Sequence, residues 1–233
     1  MTTIGDTAPP RTEAVISRRA WLSLALVSAA TCVIILDLMA ANVAFPFIER
    51  SFPGTPRTTL AWVSSGYAIA SAALLMVAGR MSDRHGRRTV FLAGVALFSA
   101  VSVATALAPS PAVLIAARIL QGGGSAMITS TAVALLLPDF PASKRGLALG
   151  IWGTTSSAGA AAGPTLGALA IEALDWRLVF LLNIPIGLST LVVGRRLLVE
   201  PPRPADAGGI DLIGTVVGTA ATALVTLAIL QGP

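Results

Sequence analysis

Long apolar runs recur along this chain, and several exceed the ~18 residues at which an apolar stretch becomes a candidate membrane-spanning helix. Of 233 residues, 55% are apolar and only 12% are charged. An ordinary soluble domain carries about 25% charged residues, so roughly half of the expected solvated surface is missing. The chain reads as an all-α integral membrane protein.

Seven spans are predicted, at roughly 20–43, 59–79, 89–108, 112–136, 147–171, 178–194 and 212–230. Residues 1–19 are polar, contain Pro9 and Pro10, and read as a disordered cytoplasmic tail. The first apolar stretch is longer than the 7–15 residues of a signal-peptide core and contains Asp37, so it is retained as a span. Residues 20–194 form a six-span unit. The linker 195–211, with Pro201, Pro202, Pro204 and Gly208-Gly209, separates it from a seventh span within 212–233. Transporters are often built from inverted three-helix repeats that make a six-helix half, and six spans, a hinge and one more span look like such a half with a truncated continuation.

Cationic residues in short loops concentrate on the cytoplasmic side. One set of loops holds Arg11, Arg18, Arg19, Arg80, Arg84, Arg87, Arg88, Lys144, Arg145, Arg195, Arg196 and Arg203; the opposite set holds Arg50, Arg57 and Arg177. This asymmetry places the N-terminus in the cytoplasm. It also accounts for the net charge of +5 without nucleic acid. Other classes recede on similar grounds. Cys32 is alone and lies in an apolar run, His85 sits among arginines where a metal site is implausible, and Lys144 follows Ala142-Ser143 rather than a phosphate-binding loop. Gly122-Gly123-Gly124 lacks both the preceding strand and the third spaced glycine of a dinucleotide loop. No enzyme, metal site or cofactor is expected.

Two ionisable residues lie deep within the spans, Asp37 and Arg118. Each costs roughly 2.5–3.5 kcal/mol at a helix centre on insertion scales, so such residues usually face a bundle interior or a wet path. Either they occupy a functional cavity, or they form a structural pair or Asp37 lies near enough to the headgroups to be wetted; the first reading is favoured. Burial favours a neutral carboxylic acid and a nearby cation favours the carboxylate, while an arginine stays charged throughout. Asp37 is therefore the candidate to take up and release a proton as the coupling ion, freeing Arg118 when it does so.

In the fifth span, Gly150, Gly159, Gly163 and Gly167 recur at helical spacing, with Pro164 between the last two. Gly159, Gly163 and Gly167 leave a smooth strip for close helix approach, and Pro164 removes a backbone donor and is expected to bend the helix. The segment Gly79-Arg80-Met81-Ser82-Asp83-Arg84-His85-Gly86-Arg87-Arg88 reads as a tight two-glycine turn in which cations surround one acid, suited to a network that fastens helix ends. Trp62, Tyr67 and Trp152, with the polar Asn42 and Gln121, are candidates for a substrate cavity; the aromatics read equally as interfacial anchors.

These motifs resemble the major facilitator superfamily, and within it the fourteen-span drug:proton antiporters, over essentially all of residues 20–230. The 79–88 segment is similar to the superfamily's signature loop between spans two and three. The resemblance implies that Gly79, Arg80, Asp83, Arg84, Gly86, Arg87 and Arg88 form a gate, with Asp83 facing a helix N-terminus of the other half. Leu36-Asp37-Leu38-Met39-Ala40-Ala41-Asn42-Val43-Ala44-Phe45-Pro46 resembles the span-one antiporter motif, with Met39 in place of the usual threonine. Arg118-Ile119-Leu120-Gln121-Gly122 resembles the span-four motif, whose arginine is implicated in proton coupling. Gly150-x8-Gly159-x3-Gly163-Pro164-xx-Gly167 resembles the span-five antiporter motif, although Ala168 stands where a second glycine is common. Asp175-Trp176-Arg177-x2-Phe180-x2-Asn183-x-Pro185 is similar to the start of the family's sixth span, and Asp211-x2-Gly214 to the first of the two helices inserted between its halves.

The resemblance implies a six-helix N-terminal half of a major facilitator fold, two inverted three-helix repeats, plus a seventh helix. Its function would be proton-coupled efflux of amphipathic, cationic drugs across the inner membrane. Partners would be membrane lipid, the small-molecule substrate, and a missing C-terminal half or a second copy of the chain. The alternatives are a truncated non-transporting fragment and a carrier for metabolites rather than drugs.

Overall fold

Backbone groups in hydrocarbon must find partners within their own segment, and every regular element among the described residues is helical. The computed structural model describes residues 16–201, 218–222, 224–226 and 228. Eight α-helices follow in order: α1 (Arg18–Ser51), α2 (Arg57–Leu60), α3 (Trp62–His85), α4 (Arg87–Ala106), α5 (Pro111–Leu136), α6 (Arg145–Ala173), α7 (Arg177–Leu181) and α8 (Asn183–Leu197).

Local chemistry sets the boundaries. The Ser17 hydroxyl accepts from the Ala20 amide at 3.1 Å, the usual N-cap bond, so α1 begins within the stretch expected as a tail up to residue 19. Residues 1–15 lie outside the described part. At its other end α1 passes the expected limit of 43 and runs through Pro46 to Ser51. Proline removes one backbone donor, but Ala44 and Ile48, on either side of it, are fully buried in the core and hold the helix in register. Ser110 caps α5 by accepting from Val113 N, with Pro111 in the first turn.

Two of the spans are each made of two helical pieces. Ala61, in right-handed helical conformation, joins α2 to α3, and Leu182 joins α7 to α8 in the same way. Arg57–His85 and Arg177–Leu197 are thus near-continuous rods. Among the described residues, five stretches are long and apolar enough to cross a membrane: Arg18–Ser51, Arg57–His85, Arg87–Ala106, Pro111–Asp139 and Arg177–Leu197. The fifth expected span, α6, has the length but is not among them. Its run Thr154-Thr155-Ser156-Ser157 and its glycines dilute its apolar content.

The expected linker also starts later than residue 195, because α8 continues to Leu197 before non-helical chain from Leu198 to Pro201. The rest of the linker, including Asp211, lies outside the described residues, as does Gly214 at the start of the expected seventh span. In the expected seventh span, residues 218–222, 224–226 and 228 are helical.

Successive spans run in opposite directions, and three apolar clusters mark the levels of the bundle. Ala20, Leu24, Leu136, Phe140 and Ala148 join one end. Val27, Ile34, Phe91, Val95, Phe98 and Ile128 are among the residues filling the middle. Ile48, Leu60, Leu114, Trp176 and Phe180 belong to the cluster that closes the other end. The first end carries Arg18, Arg19, Arg87, Arg88, Lys144, Arg145, Arg195 and Arg196, and the second carries Arg50, Arg57 and Arg177. This separation of charge is the one the orientation argument requires.

Small residues determine how closely the helices approach. α5 is held between α3 and α4, and α1 lies along α6. A Cβ at Gly122 would stand 2.5 Å from the Tyr67 carbonyl of α3, and one at Gly124 would stand 2.9 Å from Phe98 N of α4. The glycine triplet that makes no nucleotide loop is therefore a two-sided packing seam. On α6, a Cβ at Gly159 would meet Cys32 O at 2.6 Å, one at Gly163 would meet Met39 Cβ at 2.6 Å, and one at Gly167 would meet Ala40 Cβ at 3.0 Å. The strip faces α1 and makes a close helix approach of the kind its spacing suggested. Gly150 does not belong to it, since nothing lies within 4 Å of its would-be Cβ. α6 runs unbroken through Pro164, which lies exposed.

Gly159→Ala should therefore push α1 and α6 apart and destabilise the purified chain by about 1–3 kcal/mol, the usual range for overpacking. Gly150→Ala should be neutral or stabilising, by up to about 1 kcal/mol from helix propensity. Thermal unfolding in one detergent compares the two; equal losses would show that α6 does not pack on α1 through this strip.

Candidate functional site

At the centre of the bundle Asp37 of α1 and Arg118 of α5 form an ion pair, Nη1 to Oδ2 at 2.6 Å, with both side chains 0% exposed. Removing two charges from water costs several kcal/mol per ion, recovered only when the geometry is good and the remaining donors and acceptors are occupied. Here they mostly are. Arg118 also donates from Nη1 to Gln121 Oε1 at 2.7 Å and from Nε to the Val63 carbonyl at 3.2 Å. Its guanidinium carbon lies 4.3 Å from the Tyr67 ring centroid and 5.3 Å from that of Phe180, within cation–π range.

Asp37 receives further donors on its other oxygen. Asn183 Nδ2 donates to Oδ1 at 2.7 Å and Gln121 Nε2 at 3.4 Å. Both amides also donate to the Ser102 hydroxyl, Gln121 at 2.8 Å and Asn183 at 3.2 Å, while Ser102 itself donates to the Phe98 carbonyl at 2.8 Å. The cluster thus draws on α1, α3, α4, α5, α7 and α8. Three of its atoms, Tyr67 Oη, Arg118 Nη2 and Asn183 Oδ1, are buried without a hydrogen-bond partner.

The sequence leaves open whether Asp37 and Arg118 approach each other; in the structure they do. Ser102 and Asn183 were not singled out as site residues. A lone serine in an apolar helix gives no signal, but the Asp175–Pro185 motif contains one. Trp176, Phe180 and Asn183 share one helical face. Trp176 is buried and donates from Nε1 to Ser51 Oγ at 2.8 Å, Phe180 lies under Arg118, and Asn183 reaches Asp37. The motif thus aligns α7 and α8 on the ion pair.

The residues expected around a substrate cavity separate into three groups. Tyr67 and Gln121 are buried in the charge cluster. Trp152 is half-buried, its Nε1 donating to Thr31 Oγ1 at 3.2 Å. Trp62 and Asn42 are exposed, and Asn42 Oδ1 accepts from Ser64 Oγ at 3.3 Å.

The 79–88 segment is mostly helix rather than a loop. Residues 79–85 are the last turns of α3, and the reversal into α4 is made by Gly86 alone, at φ +97°. That conformation is accessible to glycine and strained for other residues. Asp83 and Arg87 pair at 3.8 Å across the turn, half-exposed. The acid with the shorter contacts at this end is Glu200, which follows α8. Its carboxylate accepts from Arg87 N at 2.5 Å and Arg88 N at 3.1 Å, and so caps the positive N-terminus of α4. A Cβ at Gly86 would meet Glu200 Oε2 at 2.6 Å. Arg88 Nη2 donates to the Arg195 carbonyl, and Arg19 Nε to the Leu197 carbonyl at 3.2 Å, so α1, α3, α4 and α8 are fastened together here. Arg84 is exposed, Arg80 is partly buried, and nothing approaches the would-be Cβ of Gly79.

Comparison with known proteins agrees with this architecture. The Major Facilitator Superfamily description matches residues 27–230. The cephamycin export protein CmcT of Amycolatopsis lactamdurans is 39% identical over 92% of this chain and 45% of its own length. The tetracenomycin C resistance and export protein of Streptomyces glaucescens is 35% identical over 84% of this chain and 37% of its own. The multidrug resistance protein Stp of Mycobacterium tuberculosis is 38% identical over 86% and 37%. The chain thus spans less than half the length of these relatives. A crystal structure of a bacterial homologue of the human lysosomal transporter Spinster shares the fold, with a TM-score of 0.65 at 20% identity over 85% of this chain and 47% of that one.

Two outcomes test the site. Arg118→Leu strands a buried carboxylate and should destabilise the chain by about 3–5 kcal/mol, while Asp37→Asn combined with Arg118→Gln should recover part of that loss in denaturant unfolding. Glu200→Gln should speed hydrogen exchange at the Arg87 and Arg88 amides and leave exchange within α5 unchanged.

Proposed function

The chain belongs to the Major Facilitator Superfamily, and from that premise we propose that it forms the proton-handling half of a drug exporter. Family membership and five apolar helices make it a multi-pass membrane protein. The proposal goes further. An amphipathic, cationic compound leaves the cell as protons enter down their gradient, across the inner membrane, with the N-terminus in the cytoplasm. The names of several relatives support efflux, since they are export or resistance proteins for antibiotics.

The buried Asp37–Arg118 pair carries the proton-coupling reading. Protonating Asp37 turns a charge-neutral pair into a lone cation in a closed core. Lone buried charge is costly, so proton uptake favours a conformation in which Arg118 finds water or another acceptor. An outgoing cation favours the ionised carboxylate for the same electrostatic reason. One acid that responds to both ligands is sufficient for exchange. The binding free energy that each supplies is the only source of bias between the two conformations.

The donors around Asp37 connect it to the parts that move. α5 holds Arg118 and Gln121, α8 holds Asn183, and α4 holds Ser102. α4 is also the helix whose N-terminus Glu200 caps. A change at Asp37 is thereby felt at the basic end, where Asp83, Arg87 and Glu200 form the gate. The other wall of the transport path is proposed to be a second helical unit, from a longer polypeptide or another copy of the chain, packed on the face that carries Asn42 and Trp62.

Inverted membrane vesicles energised with a proton gradient provide the test, with ethidium as the amphipathic cation. Ethidium addition should release protons from vesicles containing the chain together with whatever completes the path. The response should vanish in Asp37→Asn, while a neutral surface change such as Leu174→Ala keeps it. Persistence of coupled release in Asp37→Asn would refute the assignment.

A further inference from the structure

Asn183 has one side chain and two environments. Its Nδ2 must face Asp37, because a carboxylate accepts and cannot donate, and this bond is 2.7 Å long. The opposite atom, Oδ1, then points away from the charge cluster and has no partner, although the residue is only 1% exposed. A second orphan lies nearby. Ser99 of α4 is 7% exposed and its hydroxyl also lacks a partner. Both residues line the same small cleft between α4 and α8, whose other walls include Val95, Phe98, Ile128 and Thr190. Its volume of about 10 Å³ is about the room that one water needs, and a water needs at least two polar partners to be held.

We propose that this cleft binds one water molecule between Asn183 Oδ1 and Ser99 Oγ, and that the Asn183 amide is the gate through which this water reaches Asp37. The inference rests on the proton-coupling role of Asp37. An amide NH2 donates to the carboxylate but does not release a proton near neutral pH, so the observed geometry interrupts the path at a single side chain. A swing of Asn183 off Asp37 lets water take the place of its amide at Asp37 Oδ1. Hydronium arriving there transfers its proton: one O–H bond breaks, one forms on Asp37, a neutral carboxylic acid and a water remain, and no electrons change hands. The ionisable groups around Asp37 are Arg118 on α5 and Tyr67 beneath it on α3. Helices α4, α7 and α8 face the pair with Ser102, Phe180 and Asn183, and α6 meets α1 through its glycines. The amide is thus the movable neutral barrier beside the acid.

The test uses the whole chain in lipid nanodiscs. Infrared difference spectra in ¹⁸O-labelled water should reveal one isotope-sensitive, weakly bonded O–H stretch that disappears in Ser99→Ala; its absence from the wild type overturns the water site. Stopped-flow pH jumps with a pH-sensitive dye then give the Asp37-dependent proton uptake, by subtraction of Asp37→Asn. Asn183→Ala should accelerate this uptake about tenfold, the order expected for loss of one hydrogen bond to a charged group, and Ser99→Ala should slow it. Equal rates in all three proteins overturn the gate. No Asp37-dependent uptake in any of them overturns the coupling on which it stands, whatever the infrared spectra show.

Discussion

A buried guanidinium is the most demanding group in this bundle, and much of the structure around it serves to hold it. Arg118 cannot discharge itself by losing a proton, so the fold must supply acceptors wherever it sits. It receives a carboxylate, an amide oxygen, a backbone carbonyl and two aromatic faces. The carboxylate comes from α1, the carbonyl and one ring from α3, the amide from α5 itself and the other ring from α7, which fixes the mutual placement of these four helices. Apolar packing alone would not do this. In lipid the tails are as apolar as leucine, so burying leucine gives no strong preference for one helix arrangement over another.

Such a cluster remains dry only if the helices around it are close, and the glycine seams make them so. Gly122 and Gly124 bring α3 and α4 against α5 on either side of the turn that carries Arg118 and Gln121. Gly159, Gly163 and Gly167 bring α6 against α1 along the stretch from Cys32 to Ala40 that carries Asp37. The small residues and the charged ones are two parts of one solution. A methyl group at either seam would separate the helices by enough to admit water or to lengthen bonds that now measure 2.6–2.8 Å.

Much of this was legible in the sequence, for definable reasons. Apolar run length marks spans, arginine placement marks one end of the bundle, and two charges in apolar helices mark the site, since the membrane tolerates few such residues without a partner. The helix limits around Pro46 and Ser17 were misjudged because burial of Ile48 and a single side-chain cap outweigh the local signals. The 79–85 stretch looked like a loop because it is charged, yet a helix that protrudes from the apolar layer can be charged and remain a helix. Gly150 shares a motif with Gly163 but not a neighbour. Ser102 and Asn183 were hidden for a different reason. Neutral polar residues cost little in a span, so they draw no attention until the coordinates place them beside a charge.

The two ends of the bundle differ in a way that bears on motion. At the end closed by Trp176, Ser51, Phe52 and Phe180 the contacts are aromatic and buried, with a 2.8 Å hydrogen bond from the indole. At the basic end the fastening is electrostatic and partly exposed: Glu200 on the α4 amides, Arg88 and Arg19 on the last carbonyls of α8. Packed aromatic contacts are short-ranged and are lost over small displacements. Helix-terminus and carbonyl contacts in a wet setting can be exchanged for water at low net cost. Both ends keep an apolar seal, Leu136 and Phe140 at the basic end and Trp176 and Phe180 at the other, so what distinguishes the basic end is that the cross-links between its helices are of the kind water can replace. Asn183 begins α8 and Glu200 follows its last turn, so this one helix joins the central carboxylate to that end.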